Sequence, residues 1–150
     1  MQPRMKSPAT IIPEAMEPFQ ALNSIIAKSG LPQKLLALVH LRASQINGCS
    51  ACVFGGYQQA KRLGETENRI STVAAWREAP FYTDAERAAL DLTEAVTRLS
   101  DRSNPVSDEL WEQVSKHFKE RQLSALLLSI CLTNVYNRIN VSTRQIAGQC

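Results

Sequence analysis

Apolar residues recur at helical spacing along most of this chain, and this periodicity constrains the fold more than any other feature. The clearest stripe occupies successive turns of one segment, at Ala85, Ala88, Ala89, Leu92, Ala95, Val96 and Leu99. Thr83 and Glu86 precede it in the pattern of a capping box, in which both side chains bond amide groups of the first helical turn. No run of alternating polar and apolar residues predicts a strand. The sequence therefore predicts an all-α fold.

The same periodicity predicts six to seven helices in a single domain that spans residues 1–150. The other predicted helices cover about residues 13–28, 33–46, 49–63, 66–76, 107–118 and 123–139. The dense apolar stripe that starts at Leu123 is typical of a central helix, so we expect Cys131 within it to be a core residue. Residues 1–11 are expected to form a loosely ordered tail.

Composition excludes several classes of protein. The chain has 17 Lys and Arg against 14 Asp and Glu, and 44% of its residues are hydrophobic, which is typical of a soluble globular domain rather than a disordered one. The net charge of +3 gives little support to a nucleic-acid partner, and the small basic patch at Lys116, Lys119 and Arg121 is expected to be solvated surface. Neither a secretory signal nor a membrane span is recognisable, so a cytoplasmic location is expected.

The spacing Cys49-Ser50-Ala51-Cys52 is the feature that carries chemistry. Residues three apart on a helix share a face, so the two sulfur atoms are expected to reach disulfide distance. Asn47-Gly48 ends the preceding helix, which places the pair at the start of the next one. Amide groups at a helix N-terminus stabilise a thiolate and lower the pKa of a cysteine from about 8.5. The pattern favours a redox-active dithiol.

Two other interpretations of the cysteines remain open. A CxxC pair is also half of a zinc site, yet His40, His117, Cys131 and Cys150 supply no matching second pair by spacing, so no metal is predicted. Alternatively, both cysteines are small core residues, since free cysteine is often buried. Spacing alone favours redox chemistry only modestly.

The stretch Ser44-Gln45-Ile46-Asn47-Gly48-Cys49-Ser50-Ala51-Cys52, with Leu38-Val39-His40-Leu41-Arg42 ahead of it, resembles the core motif of the carboxymuconolactone decarboxylase and AhpD-like alkylhydroperoxidase superfamily. The resemblance extends from about residue 14 to 140. It implies an AhpD-like all-helical subunit that assembles as a trimer or hexamer, without a cofactor. It also implies thiol peroxidase activity, in which Cys52 attacks the peroxide, Cys49 closes the disulfide and an external thiol reduces it.

The chain departs from its relatives at two positions. Active members place a glutamate twelve residues before the first cysteine and a histidine four residues after the second, as a proton relay; this chain has Ala37 and Gly56 there. His40, one turn after Ala37, and Glu86 are candidate replacements. Each has a simpler interpretation, His40 as a surface or packing residue and Glu86 as the capping-box acid.

Two further expectations concern the surroundings of the pair. Glu94, two turns after Glu86, is a further candidate carboxylate for the pocket around the pair, but its simpler interpretation is a solvated residue, and we expect it to be solvated. Gly55 and Gly56 each cost a helix roughly 1 kcal/mol relative to alanine. We expect local bending, or the close approach of a neighbouring backbone or a ligand, at these glycines.

Three functions follow from these observations. The first is a peroxiredoxin-type peroxidase that reduces peroxides through a dithiol/disulfide cycle. The second is a divergent member without peroxidase turnover that acts as a redox-responsive binding or regulatory protein. The third, a decarboxylase of the muconolactone type, is disfavoured because that branch generally lacks the paired cysteines.

Overall fold

The computed structural model describes residues 2–149, and the all-α prediction is confirmed: none of these residues lies in a strand. The α-helices are α1 (Pro8–Ile11), α2 (Met16–Ala27), α3 (Gln33–Ile46), α4 (Ser50–Arg62), α5 (Glu67–Thr72), α6 (Asp84–Thr97), α7 (Asp108–His117) and α8 (Glu120–Thr143). Short 3₁₀ segments lie at Pro13–Ala15, Val73–Ala75 and Leu99–Asp101. The seven longer helices match the predicted segments, and α1 is additional.

Side-chain caps fix where several helices begin. The hydroxyl of Thr83 accepts from the amide of Glu86, and the carboxylate of Glu86 accepts from the amide of Thr83, which confirms the capping box. Thr66 and Ser107 accept in the same way from amides three residues later. Such contacts satisfy donors that the first turn of a helix leaves unpaired.

Helix α3 lies at the centre of the fold and packs against α4, α6 and α8. One side of it, including Val39, joins a core cluster with residues of α6, α7 and α8. The other side, including Leu38 and Leu41, joins a second cluster with α4, α5 and α6. Because α3 is covered on both sides, its C-terminal end has a fixed position, and the cysteine pair follows directly from that end.

The prediction that Cys131 is a core residue is wrong. Helix α8 buries Leu126 and Ile130 completely, but it presents Leu128, Cys131 and Val135 to solvent. Residues three and four apart share a helix face, so these three form an exposed apolar strip. The high apolar content of α8 comes from residues on both faces, and the sequence pattern does not separate the two.

The expectation that Glu94 is solvated is also wrong. Glu94 is 6% exposed, and its carboxylate accepts a hydrogen bond from Trp76 Nε1 at 2.9 Å. Arg42 and Arg77 each approach it to 2.7 Å, and Arg98 to 3.3 Å. Burial acts to raise the pKa of Glu94, but the hydrogen bonds from these partners outweigh it and lower the pKa to about 2. Glu94 thus joins α3, α6 and the segment around Trp76.

The first residues of the described chain contact the end of α8. The amide of Arg4 donates to the carbonyl oxygen of Thr143 at 2.9 Å, and Gln145 Nε2 donates to the carbonyl of Met5 at 3.2 Å. The loose ordering expected for residues 1–11 stays a prediction. Within residues 2–149, no helix has the length and apolar character needed to cross a membrane.

Candidate active site

A tight turn between α3 and α4 places the cysteine pair. Gly48 adopts a φ of 65°, a left-handed conformation that favours glycine, and the amide of Cys49 donates to the carbonyl of Ser44 at 3.0 Å. Cys49 is therefore the N-cap residue of α4, and Cys52 lies in its first turn. The predicted position of the pair at a helix N-terminus is confirmed.

Cys49 and Cys52 are joined in a disulfide, with their Cα atoms 5.3 Å apart. The amide of Cys52 donates to the sulfur of Cys49 at 3.2 Å. Both residues are nearly buried, with 1% of Cys49 and 6% of Cys52 exposed. The pair has the proximity that redox cycling requires, and one sulfur receives the hydrogen bond that a helix N-terminus provides.

Asn140 supplies the polar contact of the second sulfur. Its side-chain Nδ2 lies 3.3 Å from the sulfur of Cys52 and donates to it. The two residues are 88 positions apart in sequence, and α8 brings the amide to the disulfide. A donor at this distance stabilises a thiolate more than a neutral thiol, because hydrogen bonds to charged groups are the stronger ones. The sequence analysis did not identify Asn140.

Two further asparagines of α8 fix the turn that carries the cysteines. Asn47 Nδ2 donates to Asn134 Oδ1 at 2.9 Å and to Asn137 Oδ1 at 2.8 Å. Asn137 Nδ2 donates in turn to Ser44 Oγ at 3.0 Å. Asparagine therefore recurs at every third position of α8, at 134, 137 and 140, on the side that faces this turn. That repeat within an apolar helix is the sequence signal that could have identified these residues.

His40 lies beside the pair. Its Nδ1 is 3.3 Å from the Thr133 hydroxyl, and its ring donates a hydrogen bond to the backbone of Cys52. Burial lowers the pKa of His40 below its ordinary value of 6.5, and the bond to Cys52 only partly opposes this. The imidazole is accordingly neutral near pH 7, and it keeps a lone pair that is able to accept a proton.

The glycine at position 56 makes room for that imidazole. A Cβ atom built on Gly56 would lie 2.8 Å from His40 Cδ2, whereas a Cβ on Gly55 would meet nothing within 4 Å. The close neighbour of Gly56 is thus the side chain of His40, not the backbone or ligand expected at these glycines. His40 reaches the space that a side chain at position 56 would otherwise fill.

A pocket of about 420 Å³ opens next to His40. Ala37, Gly55 and Gly56 form part of its wall, together with apolar side chains such as Leu36 and Leu132. Thus Ala37 and Gly56, the two positions where the resemblance implies proton-relay residues, border open space here. Neither Cys49 nor Cys52 is among its lining residues; the cysteine pair is linked to this pocket through His40.

The remaining candidate, Glu86, is engaged elsewhere. Its carboxylate bonds the guanidinium of Arg69 and the backbone and hydroxyl of Thr83. The structure thus brings together Cys49, Cys52 and His40, and it gives Glu86 the capping role. Cys150 lies outside the described residues. Within the described part of the chain, no three or more His, Cys, Asp or Glu side chains form a group that could hold a metal ion.

Comparisons with known proteins identify the family of this chain. Residues 13–95 match the carboxymuconolactone decarboxylase family. The chain is 36% identical over 132 residues to the uncharacterized protein YdfG of Bacillus subtilis, and the match covers 88% of both chains. Residues 13–95 include α3, α4 and the cysteine pair.

Solved structures show the same fold. The protein of unknown function ATU0492 from Agrobacterium tumefaciens, described as a candidate antioxidant defence protein AhpD, superposes with a TM-score of 0.89 at 33% identity, covering 97% of this chain and 98% of that one. The debrominase Bmp8 in complex with 2,3,4-tribromopyrrole has a TM-score of 0.82 at 19% identity, over 93% of this chain and 74% of that one. The chain therefore belongs to the carboxymuconolactone decarboxylase family, within the superfamily that includes the AhpD-like proteins.

Proposed function

We propose that this protein is a thiol-dependent peroxidase that reduces hydroperoxides through the Cys49–Cys52 dithiol/disulfide pair. The observation that carries the proposal is the cystine at the N-terminus of α4, in which each sulfur accepts one N–H donor, from the Cys52 amide and from Asn140. Donors placed in this way favour the thiolate, which is the nucleophilic form of cysteine.

The proposed cycle has two steps on the protein. The thiolate of Cys52 attacks the terminal peroxide oxygen, the O–O bond breaks, and the alcohol leaves with one proton while Cys52 becomes a sulfenic acid. The thiolate of Cys49 then attacks the sulfur of Cys52, and the hydroxyl leaves as water with a second proton. The peroxide has gained two electrons, and the disulfide has formed. An external thiol reduces the disulfide and completes the cycle.

His40 is our candidate for proton transfer in place of the residues absent at Ala37 and Gly56. Its lowered pKa leaves it neutral, and its lone pair lies on Nδ1, which faces Thr133, because the other ring nitrogen donates to Cys52. After a turn of the ring or through a water, this lone pair is able to accept the thiol proton of Cys52 and return it to the leaving alkoxide. In this structure the ring contacts the backbone of Cys52, so the transfer to sulfur needs a small movement or a bridging water. General acid–base assistance is typically worth about 10²–10⁴-fold in rate.

The test is oxidation of the reduced protein by an organic hydroperoxide. We expect an internal disulfide between Cys49 and Cys52, detected by mass spectrometry after thiol alkylation, and loss of peroxide consumption in Cys52→Ser. Cys49→Ser should instead accumulate a trappable sulfenic acid on Cys52. Cys131→Ser is the matched control, because this exposed free cysteine is unrelated to the pair and its removal should leave the rate unchanged. Two free thiols at positions 49 and 52 after treatment would contradict the proposal.

His40→Gln tests the proton-transfer role separately, with His117→Gln as the control on an exposed histidine. The His40 variant should form the disulfide at least tenfold more slowly, whereas the His117 variant should match the wild type. Equal rates in the two variants would remove His40 from the mechanism.

The second candidate function is a redox-responsive binding protein without peroxidase turnover. It is supported by the pocket beside His40, which is large enough for a small organic molecule, and by the debrominase among proteins of the same fold. This function would appear as ligand binding that differs between the oxidised and reduced protein while peroxide consumption is negligible.

We also propose assembly into a homo-oligomer, a trimer or hexamer, in the cytoplasm. The exposed apolar strip Leu128, Cys131 and Val135 supports an oligomer, because apolar strips of this kind often mark interfaces. Light scattering that reports a monomer would contradict it.

A further inference from the structure

The cystine borders a second cavity on the surface of the molecule. This groove, of about 370 Å³, lies between the start of α4 and the end of α8. Cys49, Asn140 and Arg144 line it, and its other lining residues, Gly48, Ser50, Val141 and Gln145, are uncharged. It is separate from the pocket beside His40, with which it shares no lining residue.

The two sulfurs of the disulfide differ in their relation to this groove. Cys49 is one of the lining residues, with 1% of its surface exposed, whereas Cys52, with 6% exposed, does not line the groove and is held by the amide of Asn140. Disulfide exchange attaches the incoming sulfur to one cysteine and releases the other as a thiolate, and exchange is faster when the leaving thiol is more acidic. A thiol that enters the groove lies next to Cys49, and because only 1% of this residue is exposed, the residues that line the groove must shift slightly before the sulfur can be attacked. The departing Cys52 keeps a hydrogen-bond donor that stabilises its negative charge.

The charges around the groove favour a negatively charged ligand. Arg144 is the one charged side chain among its lining residues, and it is exposed at the C-terminal end of α8. A second guanidinium lies close by, because Arg4 Nη1 donates to the carbonyl of Ser142 at 3.0 Å. Since no acidic side chain from residues 2–149 lines the groove, a small anionic molecule is favoured there over a neutral one.

We propose that a low-molecular-weight thiol bearing a carboxylate reduces this protein by attacking the sulfur of Cys49 from the groove, with Arg144 attracting the carboxylate. The inference rests on the proposed redox function and names the class of its reductant. The incoming thiolate bonds to Cys49, the Cys49–Cys52 bond breaks, and Cys52 leaves as a thiolate bonded to Asn140. A second thiolate attacks the small-molecule sulfur of this mixed disulfide and releases Cys49. Two small thiols thus supply two electrons and leave as their disulfide.

The first experiment measures reduction of the oxidised protein by two small thiols, anionic 3-mercaptopropionate and neutral 2-mercaptoethanol, with rates normalised to thiolate concentration. The disulfide is formed beforehand with diamide, so no step depends on peroxide. Arg144→Gln should slow the anionic thiol about threefold to tenfold and leave the neutral thiol unchanged. Arg102→Gln is the matched control on another exposed arginine and should change neither rate.

The second experiment identifies the attacked sulfur. Cys52→Ser and Cys49→Ser each leave one member of the pair, and both are prepared with Cys131→Ser and Cys150→Ser, so that the retained cysteine is the only thiol in the chain. Each variant is mixed with the symmetric disulfide of 3-mercaptopropionate, and formation of the mixed disulfide is followed by intact-protein mass spectrometry. Cys49 should form the mixed disulfide at least tenfold faster than Cys52. Adding Asn140→Ala to the Cys49→Ser variant should raise the thiol pKa of Cys52 by about one unit, read from the pH dependence of alkylation.

The outcomes separate this inference from the proposed peroxidase function. Faster reaction at Cys52, or an equal effect of Arg144→Gln on both thiols, would overturn the inference even if peroxide oxidises the protein. Failure of peroxide to oxidise the reduced protein would overturn the peroxidase function, whereas selective reduction through Cys49 would still support the groove as the entry site for thiols.

Discussion

Replacing Gly56 by alanine gives the sharpest test of how the site is built. The new Cβ would lie 2.8 Å from His40 Cδ2 and 3.4 Å from His40 Nε2. Carbon atoms pack best at about 3.5–4.0 Å, so the imidazole would have to retreat by roughly 1 Å. The ring is held by Thr133 and by the backbone of Cys52, and such a shift would weaken both contacts.

Gly55 provides the control, because a Cβ there would meet nothing within 4 Å. Alanine is favoured over glycine inside a helix by about 1 kcal/mol, and that gain applies to both positions. Overpacking a filled site costs about 1–3 kcal/mol, and that loss applies to Gly56 alone. We therefore expect Gly55→Ala to stabilise the protein by about 1 kcal/mol and Gly56→Ala to be less stable than Gly55→Ala by about 1–3 kcal/mol.

Urea unfolding followed by circular dichroism measures both free energies. Proton NMR reports the pKa of His40, with His117 as an internal reference. Gly56→Ala should raise the pKa of His40 toward 6.5 as the ring becomes less buried, whereas Gly55→Ala should leave it unchanged. If both variants gain the same stability and the pKa of His40 stays where it is, the proposed competition between the ring and a side chain at position 56 is refuted.

Three other perturbations give measurable results. Glu94→Gln should lower the free energy of unfolding in urea by about 3 kcal/mol at pH 7. Because the folded pKa of Glu94 is lowered to about 2, the carboxylate stabilises the wild type above pH 4.5, and this stabilisation is lost as the pH falls toward 2. The variant should not show this loss. Asn137→Ala should cost about 1–3 kcal/mol by the same assay, since it leaves the buried hydroxyl of Ser44 without its donor and removes one of the two acceptors of Asn47. As the pH falls below 6.5, the unfolded chain binds a proton at His40 before the folded protein does, so the wild type loses stability. His40→Asn should therefore make the free energy of unfolding less dependent on pH below 6.5.

Local signals in the sequence were sufficient for the helices and for the cysteine pair. The segment 33–46 coincides with α3, and the capping box at Thr83 marks the start of α6, because caps and apolar spacing act within a few residues. The same locality explains the cystine, since Cys49 and Cys52 are separated by one helical turn. These features need no knowledge of the tertiary structure.

The rest of the site depends on contacts between distant segments. Asn140 reaches Cys52 across 88 positions, and Asn47 reaches Asn137 across 90. Glu94 is buried because partners from other elements surround it; periodicity places it on α6 but does not show that arginines converge there. Likewise, Cys131 is exposed because nothing packs over that face in the structure of the single chain, which a helical pattern alone does not reveal.

Because Asn140 contacts the sulfur of Cys52, the order of the last turns of α8 affects the reactivity of that cysteine. The helix ends at Thr143, three residues after the amide that contacts Cys52, and helix termini open more readily than helix centres. Transient fraying there would withdraw the donor from the sulfur and make the cysteine less acidic. Whatever clamps the terminus, as Arg4 does through the carbonyl of Thr143, would keep the sulfur reactive. The reactivity of Cys52 at the start of α4 would then depend on how well the end of α8 is ordered.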